Sequence, residues 1–199
     1  MHVDTGAMYR AASLKVLRAG VPPGDADRVA MLVESTHLVL RSDGDSLRVF
    51  LDGEDVTEEI RSPEVTRAVS VVSSYRRVRD VMVREQRMMG AEGGIVLEGR
   101  DIGTVVFPHA DLKFYMVAGI DARARRRSDE MRARGHEASP DEMKEELRER
   151  DRIDSTRRES PLRKAEDAIE VDTSEMTVEE QVAFVVDMAK KKTQENRER

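Results

Sequence analysis

Asp4, Thr5 and Gly6 form a triplet near the start of the chain that could do chemistry. Asp-Thr-Gly is the signature of aspartic proteases, in which two such carboxylates share one proton and activate a water molecule. That chemistry needs two aspartates on β-hairpin loops, whereas this triplet occurs once and a helical pattern follows it. We therefore reject the protease interpretation. For Asp4 and Thr5 taken alone, the residue types favour the N-cap of a helix.

Arg100 and Asp101 are a second candidate, because they follow an apolar run that reads as a buried strand. Charges directly after such a strand must be paired or hydrated. Ligands of open α/β sheets bind at the carboxyl ends of the strands, so we expect this turn and the Asp4 turn to open at the same edge. Arg10 lies about one helical turn beyond Thr5.

Two further sets of charged residues have helical spacing. They are Arg123, Arg126 and Arg127, at i, i+3 and i+4, and Arg150, Asp154 and Arg157, at i, i+4 and i+7. Each set shares one helical face, which could present guanidinium groups to a phosphate. Mixed charge on a helix pair also commonly means surface ion pairs. The spacing does not decide between these two interpretations.

The composition excludes several classes of protein. The 199 residues include no Cys and no Trp, so disulfides, thiolate metal sites and cysteine nucleophiles are excluded. Hydrophobic residues make up 39% of the chain and charged residues 37%, and no apolar run is long enough to span a membrane. A formal net charge of −6 argues against a nucleic-acid polymer as partner. We expect a cytoplasmic protein with no membrane partner and no metal site.

Apolar spacing and turn residues predict alternating strands and helices. The opening turn leads into a helix that ends at Gly20 and Pro22. Residues 36–57 hold β-like runs separated by Asp43-Gly44-Asp45 and by Asp52-Gly53, which predicts a small antiparallel sheet.

Later elements complete the pattern. Ser62 is the predicted N-cap of a helix that Ser73-Ser74 interrupts. Apolar strands at 95–97, 112–117 and 168–173 alternate with helices, which indicates an α/β fold whose parallel sheet is covered on both faces. The final helix has a predicted inward stripe of Val178, Val182, Val185 and Ala189.

Five stretches, in family order over nearly the whole chain, resemble the cytidylate kinases, the bacterial-type CMP/dCMP kinases among the P-loop nucleoside monophosphate kinases. They are VDTGAMYR (3–10), LDGEDVTEEIRSPEVTRAVSVVSSYRRVR (51–79), LEGRDIGTVVFPHADLKFYMVA (97–118), ARARRR (122–127) and ELRERDRIDSTRRESPL (146–162). The resemblance implies a three-layer parallel sheet of the P-loop NTPase type. It also implies one domain over 1–199, with a monophosphate-binding insert at 24–66 and a helical lid at 119–158.

The resemblance further implies phosphoryl transfer from ATP to CMP or dCMP by a monomer, with Mg²⁺ carried by the nucleotide. Asp4, Thr5 and Arg10 correspond to part of the CMP site, Ser70 to the hydroxyl that reads the cytosine edge, and Arg79 to the arginine that holds base and monophosphate. Arg100 corresponds to a phosphate ligand and Asp101 to a base ligand. Arg150 corresponds to the lid arginine at the reacting phosphates, Asp154 and Arg157 to the pair on the sugar hydroxyls and the phosphate, and Arg123 and Arg127 to the ATP side.

The sequence departs from the family pattern in one respect. The family places a strand, a G-x-x-G-x-G-K-[GST] phosphate loop and a helix before its DTGAMYR turn. No G-x-x-x-x-G-K-[ST] stretch occurs in these 199 residues. We therefore expect an N-terminally incomplete cytidylate kinase that lacks its first strand, phosphate loop and first helix. The alternative is an inactive CMP-binding fragment.

Overall fold

The chain folds into two compact units in a computed structural model that describes residues 2–43, 46–133, 135 and 137–197. Unit 1 comprises Met1–Phe107 and Thr156–Leu162. Unit 2 comprises Pro108–Ser155 and Arg163–Arg199. Among the described residues, none of the helices has the length and apolar character needed to cross a bilayer.

Unit 1 combines four helices with a parallel strand pair and an antiparallel sheet. The helices are α1 (Thr5–Arg18), α2 (Ala26–Glu34), α3 (Pro63–Val72) and α4 (Arg76–Met89). The strands are β1 (His2–Asp4), β2 (Leu38–Asp43), β3 (Ser46–Leu51), β4 (Glu54–Asp55) and β5 (Val96–Glu98). A 3₁₀ turn (Glu59–Arg61) precedes α3, and a π turn (Ile102–Val106) follows β5.

The helices begin where local sequence signals place them. Asp4 caps α1 by accepting a hydrogen bond from the Ala7 N–H at 3.1 Å. Asp25 caps α2 and Ser62 caps α3, where Pro63 takes the first helical position. The predicted interruption is confirmed, because α3 ends at Val72 and α4 starts at Arg76.

The antiparallel sheet predicted within 36–57 is confirmed. Strands β2, β3 and β4 pair in that order, with Leu38 opposite Leu51 and Leu51 opposite Glu54. Asp52 and Gly53 join β3 to β4 with φ values of 50° and 90°, which suit a tight hairpin turn. In the first predicted turn, Gly44 and Asp45 lie outside the described residues.

The core of unit 1 lies between α1, the other helices and the antiparallel sheet. Its largest fully buried apolar side chains are Met8, Ile60, Met82, Val3, Val16, Val29, Val33, Val49, Val56, Val65 and Val72. Helix α1 contributes more residues to this core than any other element, because its small and apolar residues face inward on several sides. The turn at the start of α1 is therefore held by a well-packed helix.

Unit 2 contains the second parallel strand pair and three helices. They are β6 (Phe114–Val117), β7 (Ile169–Asp172), α5 (Ile120–Ala133), α6 (Pro140–Thr156) and α7 (Val178–Arg197). Phe114 lies opposite Ile169, and Val117 opposite Asp172. The α/β class and the parallel pairing are confirmed. In place of one predicted sheet, the described parallel strands form two pairs, since β5 and β6 each carry a ladder on one side.

The predicted inward stripe of α7 is wrong in three of its four members, and Val185 alone lies on the half-buried face. Val178 and Val182 are 69% and 56% exposed, and Ala189 is also exposed. The half-buried face consists of Gln181, Val185, Met188 and Lys192. The Phe184 ring, at the edge of that face, meets the Phe114 ring of β6 edge-on at 6.2 Å. The helix is therefore rotated relative to the predicted stripe, which the apolar pattern alone did not reveal.

Candidate functional site

The ends of β1 and β5 lie side by side, as predicted. Asp4 is opposite Glu98, and the Thr5 hydroxyl donates a hydrogen bond of 2.7 Å to the Glu98 carbonyl. Gly99 comes so close that a Cβ added to it would lie 2.3 Å from Thr5 Oγ1. The Asp4 turn and the Arg100 turn therefore open at one edge of unit 1. Asp4 and Thr5 both have structural roles there, and a contact with CMP stays a prediction for them.

Arg79 and Asp101 form a buried ion pair just beyond this edge. The two residues are 3% and 5% exposed, and Arg79 Nη2 donates to Asp101 Oδ2. Arg79 Nη1 also donates to the Ser73 carbonyl at 3.1 Å. A buried guanidinium requires such partners, since an unpaired charge would be costly to desolvate. Helix α4 thus fixes a cation and its counter-ion beside the strand ends.

Tyr9 completes this cluster, although sequence reasoning did not select it. The Arg79 Cζ atom lies 5.2 Å from the centre of the Tyr9 ring, a cation–π contact. Burial raises the pKa of Tyr9 to about 12, while the nearby charges of Arg79 and Arg157 oppose the increase, so the phenol is neutral at pH 7. Its position directly before Arg10 in the VDTGAMYR stretch was the available signal.

Two buried polar atoms of the cluster have no hydrogen-bond partner among the described residues. They are Tyr9 Oη and Arg79 Nε. Buried polar groups are nearly always satisfied, so each exception calls for an explanation. A ligand that supplies hydrogen-bonding atoms at this position would satisfy both.

Arg10 and Ser70 occupy separate positions in unit 1. Arg10 Nη1 donates to Thr66 Oγ1 at 2.8 Å and to the Ile60 carbonyl at 3.4 Å. These contacts fix α1 to the segment that leads into α3. Ser70 is half-buried on α3, and its carbonyl accepts from the Ser73 hydroxyl at 3.4 Å.

Arg100 and Arg157 are half-buried in unit 1. Arg100 precedes the π turn by two positions, and Arg157 Nε donates to the Ser160 carbonyl at 2.7 Å. The predicted helical stripe of Arg150, Asp154 and Arg157 is wrong in its third member. Helix α6 ends at Thr156, so Arg157 belongs to the turn that follows.

The candidate residues of unit 2 form ion pairs. Arg123 binds Asp151 of α6 through both Nη atoms, at 2.7 and 2.8 Å, and Arg127 pairs with Glu130 at 2.7 Å. Arg150 Nε lies 3.9 Å from Oδ2 of Asp154, which is 6% exposed. Arg126 binds Thr173 and, at 3.3 Å, the Met176 carbonyl. The described contacts match the ion-pair interpretation, and the roles toward ATP stay predictions.

A cavity of roughly 530 Å³ lies along α4 in unit 1. Its charged lining consists of Arg76, Arg79, Arg84, Arg87, Asp80 and Glu159. Guanidinium groups outnumber carboxylates in this lining, so the cavity suits an anionic neighbour better than a cationic one. Within the described ranges, His, Asp and Glu side chains form no group of three that could hold a metal ion.

Comparison with known proteins gives consistent matches. The cytidylate kinase family pattern matches residues 1–191. A cytidylate kinase of Pelotomaculum thermopropionicum is 50% identical over 187 residues, which cover 94% of this chain and 83% of that protein. The Bacillus subtilis cytidylate kinase is 39% identical over 193 residues, covering 97% and 86%.

A longer relative matches through one part of its length. The bifunctional pantoate ligase/cytidylate kinase of Synechococcus is 47% identical over 180 residues, which cover 89% of this chain and 33% of that protein. The family pattern spans nearly the whole sequence, and these relatives share about two-fifths to one half of the aligned residues. The chain therefore belongs to the cytidylate kinase family and is, by that membership, a transferase of the kinase class.

Proposed function

We propose that this protein binds CMP or dCMP and transfers a phosphoryl group from ATP to its phosphate, giving CDP or dCDP plus ADP. Mg²⁺ would arrive with the nucleotide. The names of the relatives support the acceptor, since they are cytidylate kinases. The donor, the monomeric state and the cytoplasmic location remain predictions from the family resemblance.

The buried cluster of Tyr9, Arg79 and Asp101 is the observation that carries the proposal. A cytosine edge offers an amino donor beside two acceptors. The Asp101 carboxylate can accept from the amino group, while Arg79 and the neutral Tyr9 hydroxyl can donate to the acceptors. The unpartnered Tyr9 Oη and Arg79 Nε support this assignment. Ser70, on the preceding helix, is the further hydroxyl proposed to read the base.

Phosphoryl transfer in this class depends on positioning the reactants and on cations around the transferred group. In unit 1 we assign Arg10, Arg100 and Arg157 to the phosphate of the acceptor, with Asp4 and Thr5 shaping the turn beside it. For unit 2, we propose Arg150 at the reacting phosphates, Asp154 at the sugar hydroxyls, and Arg123 and Arg127 on the ATP side. The present ion pairs of these residues would have to exchange for phosphate contacts.

A second candidate function is CMP binding without transfer. One sequence observation favours it: the 199 residues contain no G-x-x-x-x-G-K-[ST] stretch. In phosphate loops of that type, backbone N–H groups and the lysine hold the donor phosphates. Without those groups, CMP could still bind through Arg79 and Asp101, but transfer would be slow or absent.

The two candidates are separated by measuring binding and turnover on the same 199-residue chain. Titration calorimetry with CMP, dCMP and UMP measures binding, and chromatographic detection of CDP in the presence of MgATP measures transfer. We expect CMP to bind at least about tenfold more tightly than UMP, because the base-reading groups discriminate the amino group. CDP formation supports the kinase, and binding without CDP supports the second candidate. Failure of CMP to bind contradicts both.

A further inference from the structure

Asp101 owes its position to the π turn that starts directly after it. The Asp101 carbonyl accepts from the Val105 N–H at 2.8 Å and from the Val106 N–H at 3.3 Å. The turn spans five residues, with Val106 buried. π-helical turns are rare, and those that occur as bulges inside α-helices are frequent at functional sites. Moving this turn would move the Asp101 backbone and, with it, the carboxylate that Arg79 binds.

Arg87 donates hydrogen bonds to the other end of the same turn. Its Nε donates to the Val106 carbonyl at 3.0 Å, and its Nη2 donates to the Val105 carbonyl at 2.7 Å. These carbonyls are at the end of the turn, where backbone acceptors lack partners within the element. The rigid fork of a guanidinium matches two adjacent acceptors, which a lysine ammonium cannot reproduce.

One helix therefore holds the π turn at both ends. Arg79 and Arg87 are eight residues apart on α4, which corresponds to about 12 Å along the helix axis. A third contact secures the exit: a Cβ on Gly90 would lie 2.5 Å from Cζ of Phe107, so the absent side chain lets the ring pack against the end of α4. The spacing of these three anchors is fixed by the helix itself.

We propose that Arg87 is a positioning residue for the base-reading site: by holding the last carbonyls of the π turn, it keeps Asp101 in register with Arg79. The inference rests on the proposed function, because it takes Asp101 to read the cytosine. Arg87 does not touch the ligand in this assignment. Its contribution is discrimination of the base.

The chain offers a matched pair of variants. Arg87→Met removes the fork while keeping a long side chain. Arg84→Met removes the same charge from the same cavity one turn earlier on α4, where the exposed Arg84 side chain pairs with its half-buried neighbour Glu85 at 3.5 Å. Arg87→Lys restores the charge and one of the two hydrogen bonds. All three are tested in the full chain by calorimetry with CMP and UMP.

For Arg87→Met, we expect CMP affinity to fall about tenfold, with UMP affinity changed by less than about twofold, so the CMP/UMP ratio collapses. Arg87→Lys should recover part of the ratio, and Arg84→Met should leave it within about twofold of the wild type. If Arg87 had only a structural role, its loss would lower the affinities for CMP and UMP by the same factor. Equal losses for CMP and UMP, or no loss, would overturn the positioning role.

Amide hydrogen exchange without ligand tests whether Arg87 holds the π turn, separately from the proposed function. We expect the N–H groups of Val105 and Val106 to exchange faster in Arg87→Met than in Arg84→Met, because their turn has lost its end anchor. If the wild type binds no CMP, the proposed function fails, but the exchange rates still show whether Arg87 holds the π turn. Unchanged exchange in Arg87→Met means that Arg87 does not hold the turn.

Discussion

At the scale of single residues, the side chain of Arg79 is the most informative. It is 3% exposed and is held by Asp101, the Ser73 carbonyl and the face of the Tyr9 ring. A buried ion pair adds little net stability, because desolvation offsets the attraction between the charges. Recognition of a ligand by a fixed cation and carboxylate is a better reason for its presence than stability of the fold.

Removing the carboxylate alone should be costly. In Asp101→Asn, the Arg79 guanidinium stays buried without a counter-ion, and we expect the free energy of unfolding to fall by about 3 kcal/mol. Asp80→Asn is the control, since Asp80 is 70% exposed and pairs loosely with Arg76 at 3.9 Å. It should change stability by less than about 0.5 kcal/mol. Urea unfolding followed by circular dichroism measures both, and similar small losses would show that the buried charge is tolerated unpaired.

At the scale of elements, the helix starts and the antiparallel sheet could be predicted because their signals are local. The side chains of Asp25 and Ser62 accept hydrogen bonds from N–H groups three residues later, and Pro63 fits the first helical position. Asp52 and Gly53 adopt the positive φ values that their hairpin turn requires. The rotation of α7 could not be predicted, because a helix turns toward its tertiary contacts, which here include Phe114, seventy residues before Phe184. The end of α6 before Arg157 likewise escaped a pattern based on periodicity alone.

The pairing of β1 with β5 depends on the missing side chain at Gly99. In Gly99→Ala, the new Cβ would meet Thr5 Oγ1 at 2.3 Å and Ile102 Cδ1 at 2.9 Å, so we expect a loss of about 2 kcal/mol in unfolding free energy. Gly24→Ala is the control, because its Cβ would have nothing within 4 Å and its φ is not positive. Stability of that variant should be unchanged or slightly higher. Equal urea midpoints for the two variants would contradict the close approach.

At the scale of the whole molecule, the sequence predicted which charged residues lie on helices, but it did not predict their hydrogen-bond and ion-pair partners. The choice of Asp151 by Arg123, and of two carbonyls by Arg87, depends on how helices and turns pack. Tyr9 escaped selection for a related reason: a lone aromatic residue in a helix is usually core, and only its neighbours in space mark it as part of a site. Residue types are local information, whereas partners are not.

Bound CMP should leave a regional footprint. We expect amide exchange to slow at 73–79 and 98–106 of unit 1, which contain Arg79 and Asp101, by about tenfold or more at saturating ligand. Residues 111–114 and 169–172 of unit 2 include none of the residues proposed to contact CMP, so their amide exchange rates should be unchanged. Inorganic phosphate at the same concentration is the control and should not protect 73–79. Equal slowing over all four segments would place the effect of CMP elsewhere.

The π turn also restricts how the length of this chain can vary. Deleting one residue between Asp101 and Phe107 would tighten the turn toward α-helical geometry, and an inserted residue would widen it further. Either change would rotate Phe107 away from Gly90 and withdraw the carbonyls from Arg87. Insertions and deletions are therefore tolerable in exposed loops such as 91–94, but not between Asp101, which we propose reads the base, and the Phe107 ring.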